Sequence, residues 1–425
     1  MVRVKIMHGK RWSAGFLPIV FLLMVLFVFN QSSEADDQPS DYIRSFVAYP
    51  NRMVSWDQAS PETYKLLNRY KPRIHIAPGS YKPMNFYQDY LPDCRLRGVK
   101  KGAGNPAVEP THRLLKQVQF DSNLYLDYRL TPEEALAVNI RDFRPTIYGR
   151  IYTDSLSEGD RTVTLVFLKY SLVYPFSGLP AEIGLLRRIG GSIIGNRKGW
   201  HELDIHGSIH VVLDGKVDKP VGLILAQHNH HRVLLAGRDF RWPEKDRVSI
   251  SVAQYSNEPY LLPSGTSYRL APATGNPMNV EFLFGKSERV PFNGGYDKIY
   301  SVEGGAVEIP TNLELLPLDD PLYTAWIPLG NRHKIFGLWE TWYMRGPPGI
   351  DFYTFPELKN MADLMAFWLV EPSDKTFFSL MKEHVRSFSD YDLLPVLKYQ
   401  KTRLLNALLL NPETLTDDTF ALKRR

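Results

Sequence analysis

The stretch Trp200–Arg232, WHELDIHGSIHVVLDGKVDKPVGLILAQHNHHR, constrains the fold more than any other part of this chain. From Glu202 to Leu213 polar and apolar residues alternate. Glu202, Asp204, His206, Ser208 and His210 fall on one side, and Leu203, Ile205, Ile209 and Val211 on the other. Successive side chains of a strand point to opposite faces, so a period of two predicts one half-buried strand. Its polar face would carry imidazoles and carboxylates spaced roughly 6.5–7 Å apart. A turn at Asp214–Gly215 and the apolar run Val221–Ala226 predict a second strand, ending in Gln227, His228, Asn229, His230 and His231. If the two strands pair, their imidazoles approach one another.

Neutral imidazole and carboxylate are the usual ligands of zinc and, with more oxygen donors, of manganese or magnesium. The imidazoles and carboxylates of this stretch could therefore bind a divalent metal such as zinc. Glu202 or His210 would serve as the base if the metal activates water. The competing reading is a set of solvated strand-end histidines, because the spacing is neither HExxH nor a paired CxxC. No GxSxG occurs, and Cys94, the lone cysteine, has no neighbouring histidine. A single cysteine also excludes a disulfide framework and a multi-cysteine zinc site.

With 425 residues the chain has room for one large domain or two ordinary ones. Its 44% apolar and 23% charged residues are those of a globular protein, and a net charge of +5 makes no case for nucleic acid. Arg3, Lys5, Lys10 and Arg11 precede the apolar run Ala14–Phe29, and Ser33 and Ala35 follow with small-x-small spacing. This predicts an export signal or single anchor over residues 1–35, with membrane contact through that segment if it is not cleaved. The remainder would be periplasmic, secreted or luminal.

Residues 36–69 read as a polar lead-in and a short helix, Pro61–Tyr70, with Ser60 as N-cap and Pro61 at the first helical position. Arg73–Ala77 reads as a strand and Pro78–Gly79 as a turn. The aromatics Tyr81, Phe86, Tyr87 and Tyr90 read as core. Pro92–Pro110, with RLRGVKKGAGNP, reads as an exposed loop. Gln119–Leu130, Thr146–Thr153 and Arg161–Tyr174 are strands, the last two forming a hairpin. Gly178–Gly195 reads as a short packing helix, Arg247–Ala253 as a strand, and Tyr255–Pro277 as a long loop. Weak strands continue to about Glu308. Trp326, Trp339 and Trp342, with His333 and Glu340, occupy a linking stretch as core anchors. Glu357–Val370, Asp374–Phe388 and Leu393–Leu410 carry helical spacing. The expected fold is mainly β with α: a β-sandwich core over 70–310, with a linker and a C-terminal helical layer over 311–425.

Three blocks in this order resemble the vacuolar protein sorting-associated protein 62 family and, more distantly, the necrosis-inducing protein family. They are YKPRIHIAPGSYKPMNFYQDYL, then TIYGRIYTD with LVFLKYSLVYPF, then WHELDIHGSIHVVLDG with LILAQHNHHR and VSISVAQYSNEPYLLP. The similarity spans roughly 70–263. It implies a β-sandwich with a divalent cation at a His-x-x-Asp-Trp-Glu motif followed by a Gln-His pair. Here these positions are His201, Asp204, Ile205 and His206, with Gln227 and His228. Imidazole in place of the motif's carboxylate shifts the expected metal from magnesium or calcium towards zinc, or marks a site that has lost its metal. The resemblance implies a binding module whose cation bridges to a sugar or lipid headgroup at a cell surface or envelope. A metal-dependent hydrolase and a metal-free structural envelope protein are the alternatives.

Overall fold

Helix α1 (Pro61–Tyr70) starts where its sequence places it. The Ser60 side chain accepts a hydrogen bond from the Thr63 amide, Pro61 opens the helix, and Glu62 sits in the first turn. These features satisfy or replace backbone donors that a helix start leaves unpaired. The computed structural model describes residues 47–48, 57–98, 108–121, 123–177, 201–205, 207–217, 219–227, 230–243, 246–262, 268–269, 298–330, 349–353, 360–370, 374–384 and 392–409. The export segment, Gly178–Gly195, His333, Trp339, Glu340 and Trp342 lie outside these residues. Among the described residues no helix is long and apolar enough to cross a membrane.

The strands are β1 (Val47–Ala48), β2 (Arg73–Ile76), β3 (Cys94–Gly98), β4 (Leu124–Tyr128), β5 (Thr146–Glu158), β6 (Arg161–Leu172), β7 (Tyr174–Ser177), β8 (His201–Asp204) and β9 (Ser208–Asp214). They continue as β10 (Pro220–Gln227), β11 (His230–Leu235), β12 (Ser249–Val252), β13 (Pro259–Leu261), β14 (Tyr268–Arg269), β15 (Lys298–Ile299), β16 (Val307–Ile309), β17 (Asn312–Glu314) and β18 (Phe352–Tyr353). A six-stranded sheet runs β11-β10-β9-β6-β5-β17, and a four-stranded sheet runs β13-β12-β2-β16. The pairs β7–β8, β3–β4, β14–β15 and β1–β18 stand outside both sheets. The further helices are α2 (His112–Val118), α3 (Pro132–Asp142), α4 (Pro321–Thr324), α5 (Met361–Phe367), α6 (Lys375–His384) and α7 (Leu394–Leu409). Strands and helices belong to one unit, Ile43–Arg425.

Residues directly opposite in a ladder share a face, so the register sorts the six-stranded sheet into rows. Ile151, Leu168, Val211, Leu223 and Leu234 form one row across β5, β6, β9, β10 and β11. These join the core that contains Ile74, Ile76, Ile250 and Val252 of the four-stranded sheet. On the opposite face Tyr152, Phe167, Val212, Gly222 and Leu235 form the next row. Its side chains pack with Met361, Met365, Phe377, Leu397 and Leu404 of α5–α7. The architecture is therefore mainly β with α, two sheets sharing one core and a helical layer on the outer face of the larger.

Several local expectations change. Pro92–Pro110 is not all exposed loop: β3 pairs with β4, and Cys94 and Leu96 are buried. Gln119–Leu130 is not one strand, because β4 begins only at Leu124 after the turn that follows α2. Helix α3 falls in a stretch left without an element by hydrophobic pattern. A capping box starts it, Thr131 and Glu134 each accepting the other's backbone amide. The loop Tyr255–Pro277 contains β13, which completes the edge of the smaller sheet. Trp326 is half-buried, edge-on to Phe120 at 6.0 Å.

Candidate functional site

The predicted strand Glu202–Leu213 is two strands, and this is the main correction. Ser208 lies opposite Ser171, whereas Asp204 lies opposite Tyr174. Three steps along 171–174 therefore face four along 204–208, a one-residue register shift of the kind a β-bulge makes. A one-residue slip sends side chains to the other face. Asp204 and Glu202 therefore share a face with Tyr174 and Phe176, not with Ser208 and His210. Leu203, within β8, has a φ of 51°, a left-handed value uncommon for a residue with a bulky side chain.

The bulge forms one wall of a buried corner. Asp204 Oδ2 accepts a hydrogen bond from Asn257 Nδ2 at 3.0 Å, and the same amide donates to the Phe176 carbonyl at 2.8 Å. Gly207 packs so closely here that a Cβ would stand 2.9 Å from the Asn257 carbonyl oxygen. Gln227, at the end of β10, donates from Nε2 to the Pro259 carbonyl at 2.7 Å. The segments on which His206 and His228 fall are thus flanked by residues that meet the same turn, Asn257–Pro259. That turn is itself unusual, since Tyr255 and Asn257 take φ of 75° and 59°. Left-handed non-glycine residues persist where surrounding structure enforces them, and they cluster at functional sites.

Asp204 is 2% exposed and Glu258 4%. Both act on the buried Tyr174 phenol, which is pushed well above its ordinary value by burial first, then by Asp204 and Glu258. Among the described residues the Tyr174 hydroxyl has no hydrogen-bond partner. A buried orphan hydroxyl beside two carboxylates fits an additional group such as a cation or an ordered water. Asp204 and Glu258 would supply oxygen donors to such a cation. His206 and His228, and the side chain of His201, lie outside the described residues. Among the described residues no cluster of three or more His, Cys, Asp or Glu could hold a metal by itself.

The two nominated bases are not brought together. Glu202 is fully buried and accepts the Tyr128 amide at 2.8 Å through Oε2, tying β8 to β4. His210 is on the opposite side of the bulge, in the row Arg150, Lys169, His210, Ile224 and Val233 beneath the helical layer. Sequence patterning missed Arg150 and Lys169 because they lie within strands that read as hydrophobic. Asp351 reaches this row, accepting from Lys169 Nζ at 3.0 Å, from Tyr152 Oη at 3.1 Å and from Arg150 Nη1. Arg150 Nη2 donates to the Leu318 carbonyl at 2.8 Å, and its guanidinium lies 3.6 Å from the Tyr323 ring centroid.

Burial by itself would raise the Asp351 carboxyl, but Arg150 and Lys169 outweigh it and hold the group below its usual range. Lys169 is lowered, chiefly by burial, against the attraction of Asp351. His210 is pushed well below 6.5 by burial, then by Lys169 and His231. His231 is held down to about 3 by burial first and Lys169 second. An unfolded histidine protonates near 6.5, so the unfolded chain binds more protons as pH falls below that value. The stability contributed by neutral His231 is complete above about 6.5 and is lost as pH falls towards about 3, and neutral His210 acts in the same direction. Asp351 acts in the same direction, its share disappearing as pH drops through its lowered value. Urea midpoints measured from neutral to acidic pH are expected to fall, with a shallower fall in His231→Gln. An unchanged slope in that variant would remove His231 from the account.

No family model, curated protein or solved structure matches this chain.

Proposed function

We propose that this chain is an exported binding protein in which a divalent cation at the bulge corner bridges to a sugar or lipid headgroup. The observation that carries this reading is the convergence of Asp204, Gly207 and Gln227 on the Asn257–Pro259 turn. This brings together the flanks of the two histidine-bearing segments named by the resemblance. Asp204 and Glu258 would hold the cation with His201, His206 and His228, a mixed oxygen and nitrogen set suited to zinc or manganese. Once bound, the ion supplies a concentrated positive charge to ligand oxygens. The chain's own residues orient that ion, Asn257 fixing the Asp204 carboxylate and Gln227 fixing the end of β10. The leader Ala14–Phe29 would carry the domain across a membrane and, if retained, hold it there.

Binding is preferred to hydrolysis because Glu202, the candidate base on the Asp204 side, is fully buried and accepts the Tyr128 amide, and His210 lies in the row beneath the helical layer. A base must come within hydrogen-bond reach of the water it activates, directly or through one water. Elemental analysis of the purified full chain under metal-replete conditions tests the proposal. Bound metal is expected in the parent, with affinity reduced at least roughly tenfold in Asp204→Asn and His206→Ala. A parent that binds no metal would leave the structural envelope reading in its place.

A further inference from the structure

The outer face of the six-stranded sheet carries a second polar surface, on the opposite side of the ladder from Asp204. Arg150, Lys169 and His210 are consecutive cross-strand neighbours, and Ser171 and Ser208 are opposite one another one row away on the same face. At a strand spacing of about 4.8 Å, the three side chains of the first row span about 10 Å. All five residues are buried, His210 fully and Arg150 to 1% exposure. Interior faces of sheets are ordinarily apolar, as the neighbouring Tyr152–Phe167–Val212 row is. Here every side chain carries at least one hydrogen-bond donor.

Part of this donor set is already engaged. Asp351 takes Arg150 Nη1, Lys169 Nζ and Tyr152 Oη, and Leu318 takes Arg150 Nη2. Among the described residues Arg150 Nε has no acceptor. Neither ring nitrogen of His210 has a well-formed hydrogen bond, the Ile224 backbone offering only a weak one. Among the described residues the Ser171 and Ser208 hydroxyls meet each other, at 3.5 Å. A buried polar group left without a partner costs about 1–3 kcal/mol, so orphans gathered on one face point to a missing acceptor.

We infer that Arg150, Lys169, Ser171, Ser208 and His210 form the floor of a binding site for a phosphoryl group, as inorganic phosphate or a phosphomonoester. Several donors spread over two rows suit the three or four oxygens of a phosphoryl group better than the two of a carboxylate. Asp351 already occupies the carboxylate position at one end, where it aligns Arg150 and Lys169. Charge-assisted bonds from arginine and lysine and neutral bonds from the serines are the usual means of holding such a group. This site is independent of the proposed cation, since it faces the helical layer.

The test is calorimetric titration of the full chain with inorganic phosphate and, separately, glycerol phosphate, against sodium chloride of equal ionic strength and with chelator present. Saturable binding is expected for one of the two phosphates, retained in Asp204→Asn and weakened roughly tenfold in Ser208→Ala and Lys169→Met. Ser171→Ala is the second small variant, should Lys169→Met fail to fold. Tighter glycerol phosphate than phosphate would identify an esterified ligand, and the reverse a free anion. Overturning results are no binding above the chloride control, or binding that disappears in Asp204→Asn but survives in both serine variants. In the first case the orphaned donors hold buried water only.

Discussion

Asp351→Ala is expected to lower the unfolding free energy by about 3–5 kcal/mol, because it leaves Arg150 and Lys169 buried around a vacancy. Asp351 is fully buried and accepts from both cations and from Tyr152. Asp351→Asn should cost less than alanine, since the amide oxygen still accepts one donor. The physical cause can be separated from simple loss of volume. Replacing Arg150, Lys169 and Asp351 together with Met, Met and Leu should recover much of the loss, because the desolvation cost disappears with the charges. Chemical denaturation of the three variants decides the matter. A triple variant no more stable than Asp351→Ala would mean that the knot stabilises through specific geometry rather than merely tolerating its burial.

Gly349→Ala is expected to be nearly as damaging, and for a linked reason. A Cβ at Gly349 would clash with the Tyr323 carbonyl oxygen and stand 2.8 Å from the Ala325 amide nitrogen, both backbone atoms. Nothing so fixed can yield without moving the segment. The segment is hooked to α4 and the residue after it by three bonds, Gly349 to Ala325, Ile350 to Leu322 and Asp351 to Tyr323, at 2.8, 2.9 and 2.9 Å. Displacing it withdraws Asp351 from Arg150 and Lys169. The cost is therefore the overpacking itself, typically 1–3 kcal/mol, together with part of the charge-knot loss. Because both substitutions disable one device, the double variant should be little worse than the more damaging single one. Full additivity in a denaturation cycle would show that the hook and the charge knot act separately.

The corner and the knot differ in how far the amino-acid sequence disclosed them. Local rules were enough for α1, where Ser60 and Pro61 act within one turn, and for the β5–β6 hairpin, whose strands are long and joined by a short acidic turn. They were enough also for the pairing of β9 with β10, since Asp214–Gly215 joins two runs that can only fold back on each other. The C-terminal helices were legible from spacing. Helix α3 could have been found from Thr131 and Glu134, because a capping box is a local signal even when hydrophobic periodicity is weak.

What the sequence by itself determined was the inventory: two neighbouring strands bearing histidines and carboxylates, a sheet core and a helical layer. Only the tertiary structure decided which face each side chain occupies. Alternation from Glu202 to Val211 concealed a one-residue register shift between the pairings of Asp204 and Ser208, and parity converts that shift into opposite destinations for Asp204 and His210. Asp351 meets Arg150 from 201 positions away, and no periodicity carries information over such a separation. Pairing at that range is set by how the segment after α4 hooks back over the sheet, and so by packing rather than by local preference.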